Sequence, residues 1–130
     1  MREGARSYLL DTNVLIWLSS DLGRLAPAVL QVLADYESDV YASSVSFWEL
    51  AIKQGVRKIN TAIRFDEMVE RHGIRELPIS SRYTEALREL PMLHGDPFDR
   101  MLVAQAMVDG LTLVTADRRL ARYAVPIVQV

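Results

Sequence analysis

Asp11, Glu49, Asp99 and Asp117 are acids in places where a carboxylate is hard to accommodate without a cation. Asp11 ends the apolar run Tyr8-Leu9-Leu10, and Asp117 follows Leu111-Thr112-Leu113-Val114. Glu49 interrupts an almost wholly apolar stretch over 45–52, and Asp99 lies in the first turn of a clearly marked helix. Burying an unpaired carboxylate costs several kcal/mol, so such a group is protonated, paired or metal-bound. Carboxylates gathered by folding, without histidine or cysteine ligands, favour Mg2+ or Mn2+, which prefer hard oxygen donors. A cation held this way serves phosphodiester hydrolysis: it lowers the pKa of a water and offsets charge developing on phosphate.

Taken singly, each acid also has a structural role open to it. Asp11 can start a turn or cap the helix after the strand, and Asp117 can cap a helix beginning at Arg118. Asp99 follows Asp96 by three residues, so the pair also reads as a helix start with favourable carboxylates, Asp96 being the cap. Glu49 can pair with an arginine. Thr12, Asn13 and Thr115 are candidates for orienting ligands or waters from outside the ion's immediate shell, with turn and cap roles as the alternative. Asp96 is a further auxiliary candidate. His94 and His72 read as local hydrogen-bonding residues. Trp17, Trp48, Tyr83, Met101 and Met107 read as core or interface packing rather than base-stacking platforms. Arg118, Arg119 and Arg122 follow Asp117, and Lys53, Arg57 and Lys58 follow Glu49. Both groups read as solvated helix faces, of functional interest only if they rim the acidic cluster.

The elements that must position these acids alternate along the chain. Residues 8–10 predict a short buried strand, followed by a helix starting over 14–18 with Thr12 or Asn13 as cap. Pro27 opens a helix to about Tyr36, and a strand follows at 40–42. A helix capped by Ser43 or Ser44 ends near Gly55. Another spans 65–71 and stops at Gly73, followed by a strand at 74–78. Ser80 or Ser81 caps a helix through Leu90, closed by Pro91. Asp96 as cap, Pro97 at the first helical position and Gly110 beyond the end define the clearest helix, and its apolar residues imply burial on most sides. A buried strand at 111–114, a short helix at 118–123 and a strand at 127–130 complete the chain. This alternation predicts a three-layer α/β/α sandwich with a mainly parallel central sheet. Asp11 and Asp117 fall at strand carboxyl ends, where open parallel sheets keep their functional crevice, and Asp99 faces the same edge from a helix start.

With 130 residues and no internal repeat or linker, a single domain over 1–130 is expected. The absence of cysteine excludes disulfides and thiolate metal sites. No apolar run approaches the length of about 20 residues that spans a membrane. The start at Met1 lacks the apolar core of a signal peptide, so a cytoplasmic location is expected. The net charge of −2 supplies no global basic field toward nucleic acid, but acids gathered at one site mask basic residues elsewhere.

Four segments together carry a resemblance. Leu9-Leu10-Asp11-Thr12-Asn13, Phe47-Trp48-Glu49-Leu50, His94-Gly95-Asp96-Pro97-Phe98-Asp99-Arg100 and Val114-Thr115-Ala116-Asp117 resemble, in order and spacing, the PIN-domain ribonucleases, and within these the VapC-type toxins of toxin–antitoxin pairs. The resemblance covers nearly the whole chain. It implies an endoribonuclease dependent on Mg2+ or Mn2+, working as a homodimer on RNA and silenced by a small cognate antitoxin. It places the family's acids on Asp11, Glu49, Asp99 and Asp117, as metal ligands directly or through water. Many relatives have histidine where Asn13 stands and arginine where Gly95 stands; neither departure touches the four carboxylates.

Two other readings stay open at the level of sequence. A receiver-like phosphoryl-transfer α/β domain would want paired acids near the first strand and a late lysine, whereas Glu3 precedes the strand and arginines follow Asp117; a dehalogenase-type phosphatase would want a second aspartate where Asn13 stands. A non-catalytic interaction module would use the acids to bind a basic partner peptide.

Overall fold

Five short strands form one parallel sheet in the computed structural model, which describes residues 6–56 and 64–130. The strands are β1 (Arg6–Leu10), β2 (Ser38–Ser43), β3 (Arg75–Leu77), β4 (Thr112–Thr115) and β5 (Ile127–Gln129). Their order is β3-β2-β1-β4-β5, and every pairing is parallel. The register sets Leu10 beside Ala42 on one side and Val114 on the other. The chain moves outward from β1 through β2 to β3, then crosses to the other side of β1 for β4 and β5. The topological switch therefore falls between β1 and β4, the place where such sheets bind ligands beyond their carboxyl ends.

Helices α1 (Thr12–Ser20), α2 (Pro27–Ala34), α3 (Ser44–Gly55), α4 (Phe65–His72), α5 (Ser81–Glu89) and α6 (Pro97–Asp109) cover the sheet. Strand side chains alternate between faces, and two separate cores result. Leu9 and Leu113 enter one core with Tyr83, Met101, Leu102 and Leu120. Tyr8, Leu10 and Val114 enter the other with Val14, Leu15, Val29 and Met68. The sandwich expected from the alternation is the architecture observed.

Several local expectations shift. Asp11 itself, rather than Thr12 or Asn13, caps α1, its Oδ1 accepting from Val14 N at 2.9 Å. Thr12 is already the first helical residue and is buried, its hydroxyl bonded to Ser46 Oγ at 3.0 Å. Helix α2 stops at Ala34, leaving Tyr36 exposed. Ser43, not Ser44, caps α3, while Ser44 Oγ accepts from Ile79 N. Segment 118–123 forms a 3₁₀ turn (Arg118–Arg122) instead of a helix. Gly73 and Gly110 end α4 and α6 with φ of 65° and 67°, the left-handed conformation that a side chain disfavours. Helix α6 is buried through Ala106, but Met107 and Val108 are exposed. Trp48, read as packing, is 59% exposed and only its edge rests on Phe98, 5.2 Å between centroids. Arg57 and Lys58 lie outside the described residues.

Candidate functional site

Asp11 sits where β1 gives way to α1, and its carboxylate is committed on both oxygens. Oδ1 caps α1, and Oδ2 accepts a short bond from the Thr115 hydroxyl. Thr115 closes β4, the strand on the other side of the switch, and its Oγ1 also accepts from Asp117 N at 3.0 Å. One buried hydroxyl thus fixes the ends of two adjacent strands and the acid that each delivers. Thr115 thereby sets the direction of the Asp11 carboxylate and of the chain entering Asp117. Thr12 is turned toward Ser46 on α3, and Asn13 is exposed.

Asp99 reaches the same edge from the first turn of α6. Asp96 holds that turn in place, accepting from Phe98 N at 2.8 Å and Asp99 N at 3.2 Å. Glu49, on α3, is 5% exposed. Its Oε2 pairs with Lys53 one turn on, at 2.7 Å, rather than with an arginine. Its Oε1 is buried without a hydrogen-bond partner. Asp117 caps the 3₁₀ turn through Arg119 N, and the Arg119 side chain grips it in two bonds, 3.0 Å from Nε and 2.8 Å from Nη2.

The residue that sequence reasoning set aside lies at the centre. His94 is 8% exposed, and its Nε2 is 2.9 Å from Asp99 Oδ2 and 3.7 Å from Asp117 Oδ2. His94, Asp99 and Asp117 each offer a ligand atom within 4.8 Å of the others. Asp11 and Glu49 stand outside this triad but act on it: Asp11 feels the charges of Asp99 and Asp117, and Asp99 feels that of Glu49. His94 is placed by Arg100, whose buried guanidinium donates to Pro91 O at 2.9 Å, Leu90 O at 3.3 Å and the Tyr123 hydroxyl at 3.2 Å. Tyr123 in turn accepts from Leu93 N at 3.1 Å. The loop before α6 is thereby pinned against the chain after β4. The sequence signals for His94 were its place five residues before Asp99 and its membership of the segment His94-Gly95-Asp96-Pro97-Phe98-Asp99-Arg100.

The electrostatics follow from this crowding. Burial pushes the Asp11 carboxyl up to about 6, against the bonds from Thr115 and Val14 that pull it down. Burial also raises Asp99, opposed by the His94 bond. Asp117 is held below the usual range, chiefly by Arg119. Like charges brought together in partial burial, with one anionic oxygen lacking any partner, form a set that a divalent cation would satisfy. The donors are carboxylate oxygens and a single imidazole nitrogen. Of the two basic groups, Arg119 and Lys53 do rim the acids, each bound to one of them.

Comparison with known proteins places this geometry. The PIN domain family matches residues 8–126. A curated relative, ribonuclease VapC22 of Mycobacterium tuberculosis, is 31% identical over 123 residues, covering 92% of this chain and 94% of its own. Among solved structures, VapBC2 from Rickettsia felis, bound to a DNA fragment from its promoter, superposes with a TM-score of 0.74 at 20% identity, over 95% of this chain and 98% of that one. The DNA-bound VapBC of Salmonella typhimurium gives 0.66 at 20% identity, again over 95% and 98%. The structural likenesses speak for the fold, while the sequence matches speak for descent: the chain belongs to the PIN-domain family.

Proposed function

We propose that this protein is a divalent-metal-dependent endoribonuclease, the toxin of a toxin–antitoxin pair, held in check by a small cognate antitoxin. The observation that carries this reading is the approach of Asp99 and Asp117 to each other at the switch-point edge of a PIN-domain sheet, with Asp11 and Glu49 near enough for their charges to be felt there. Asp99, Asp117 and Asp11 would hold a Mg2+ or Mn2+ ion, with Glu49 reaching it directly or through water. When bound, the ion would supply a Lewis acid that lowers the pKa of a water and offsets charge on the scissile phosphate.

The protein's own groups do the rest. Thr115 and the Val14 amide fix both oxygens of Asp11, so that carboxylate loses no orientational freedom on binding. The Asp96 cap holds Asp99 at its backbone amide, in the first turn of α6. Arg119 is exposed beside Asp117, placed to meet the backbone of an incoming strand. A single-stranded segment of RNA suits the shallow edge, because its phosphodiesters are accessible without opening a duplex. Trp48 and Ile52 on α3, with Val56 at its C-terminal cap, recur at four-residue spacing as exposed apolar residues. Such a stripe supports a protein-covered surface, whether by the antitoxin or by a second copy in a homodimer. No helix among the described residues is long and apolar enough to cross a membrane.

The test is cleavage of total RNA with Mg2+ or Mn2+, in the presence and absence of a chelator. Metal-dependent cleavage is expected, together with its loss in Asp11→Asn and Asp99→Asn proteins that remain folded. Chelator-resistant cleavage, or full activity in both variants, would overturn the reading.

A further inference from the structure

We propose that His94 is itself a metal ligand, through Nε2, and that this nitrogen donor makes the centre take Mn2+ or another borderline first-row cation in preference to Mg2+. The inference rests on the metal-dependent reading above and adds to it a residue outside the four carboxylates. Its basis is position. Among the described residues, Nε2 is the one histidine or carboxylate ligand atom that groups with both Asp99 and Asp117, 2.9 Å from Asp99 Oδ2 and 3.7 Å from Asp117 Oδ2. An ion drawn between those two carboxylates therefore meets the imidazole edge whether or not a fourth group reaches it. The ring is buried, and Arg100 and Tyr123 hold the backbone of the loop that carries it at Leu90, Pro91 and Leu93.

A second observation, independent of the triad, points to a ligand at this place. Glu49 Oε1 is buried without a partner, and its charge bears on Asp99 from α3, another element entirely. Pairing His94 with Asp99 alone would leave the burial of that oxygen uncompensated. With an ion present, His94 takes the tautomer that carries its proton on Nδ1, leaving the Nε2 lone pair free to coordinate. Cation choice follows from donor type. Mg2+ takes oxygen ligands almost without exception and gives up water reluctantly, whereas imidazole raises affinity for the first-row metals.

The competing role for His94 is that of an orienting residue, donating Nε2–H to Asp99 while only oxygen touches the ion. Pulsed electron paramagnetic resonance on Mn2+-loaded, untagged protein separates the two. The chain has two histidines, so a His72→Gln background leaves His94 as its one imidazole. Expected there is a directly bound nitrogen coupling on the Mn2+ signal, lost in the added His94→Gln change. Competition should also show Mn2+ displacing Mg2+ about tenfold or more below equivalence, with that ratio shrinking several-fold in His94→Gln. Mn2+ bound without nitrogen coupling would overturn the role of His94 and leave the carboxylate centre standing. Failure of the unsubstituted protein to bind Mn2+ at all would overturn the metal reading and this inference with it. The measurement on the His72→Gln protein alone decides the matter should His94→Gln fail to fold.

Discussion

Helix α6 carries an aspartate at each end, and their side chains are almost equally exposed, 21% for Asp99 and 22% for Asp109. Helix electrostatics favour Asp99, in the first turn, and disfavour Asp109, in the last. The surroundings invert that ranking. Asp109 pairs with Arg82 at 3.2 Å and accepts from the Tyr83 hydroxyl, and Tyr83 is pushed up to about 12, by burial first and by that bond second. Asp99 is given His94, but also the charges of Asp96 and Glu49, and burial raises it. At the unfavourable end the fold has neutralised its acid. At the favourable end it has left an acid among its like. That pattern fits an acid paired for stability at one end and, at the other, the cation-binding role proposed for Asp99, since perturbed acids are where function concentrates.

The contrast breaks most visibly in catalysis. Asp99→Asn and Asp11→Asn are expected to lower metal-dependent RNA cleavage by at least about 10²-fold, the usual consequence of losing a group that organises transition-state charge. Asp109→Asn should leave cleavage within about twofold of the parent protein, since a single surface-edge pair carries little energy. Gel-based cleavage rates on folded, circular-dichroism-checked proteins decide it. Equal losses at both ends of α6 would dissolve the distinction between them.

Stability should sharpen the contrast in the opposite sense. The carboxyl of Asp11 titrates near 6 in the folded protein and near 3.8 unfolded, so the folded state holds its proton more tightly. As pH rises from about 4 to 6 the unfolded chain loses the proton first. Folding therefore weakens across that window and stays weakened above it, by about 3 kcal/mol at most. Asp11→Asn keeps an acceptor for the Val14 amide but carries no charge. In chelator it should be more stable than the parent by about 1–3 kcal/mol at pH 7.5, with the gain vanishing near pH 4. Denaturant titrations at the two pH values check this. A variant weaker than the parent at pH 7.5 would mean that Asp11 is held by its hydrogen bonds alone. Mn2+ should reverse the order, because binding to the folded state stabilises the parent more than the variant.

At the other end of α6 the sign is ordinary. Asp109→Ala removes the partner of the Tyr83 hydroxyl and is expected to destabilise by about 1 kcal/mol, with no dependence on metal. A metal-dependent change there, read as a different melting shift with and without Mn2+, would show that the two ends of α6 are coupled.

What the sequence disclosed, and what it withheld, divides along the same line. Asp96-Pro97 and Gly110 fixed α6 because caps and breakers act within a few residues, and the apolar runs fixed β1 and β4 because burial on both faces demands them. Asp11 and Asp117 could be placed at strand ends for that reason. Partners across the fold could not. His94 lies in an irregular stretch with no period to read, and its burial depends on Arg100 and Tyr123 holding the loop down. Thr115 read as either an orienting or a turn residue, and only the β1–β4 pairing shows that its hydroxyl meets Asp11. Arg119 and Lys53 looked like solvated charge, and each proved to hold an acid of the cluster.

Arg119 offers the smallest and most discriminating test. Its guanidinium occupies both oxygens of Asp117, so an ion must compete with it for that carboxylate. The pair is exposed on the arginine side, and such pairs are weak, so the competition is slight. Arg119→Ala should tighten Mn2+ binding by a few-fold, since it frees the oxygens and removes a repelling charge. Arg119→Lys keeps the charge without the two-bond grip and should fall between. The same Arg119→Ala change should weaken RNA binding and flatten its salt dependence by about one unit of slope, the mark of a single lost phosphate contact. Metal and RNA affinities then move in opposite directions from one substitution. If both weaken together, Arg119 is positioning Asp117 for the ion instead of guarding it, and the acidic end of α6 is less short of counter-charge than its geometry implies.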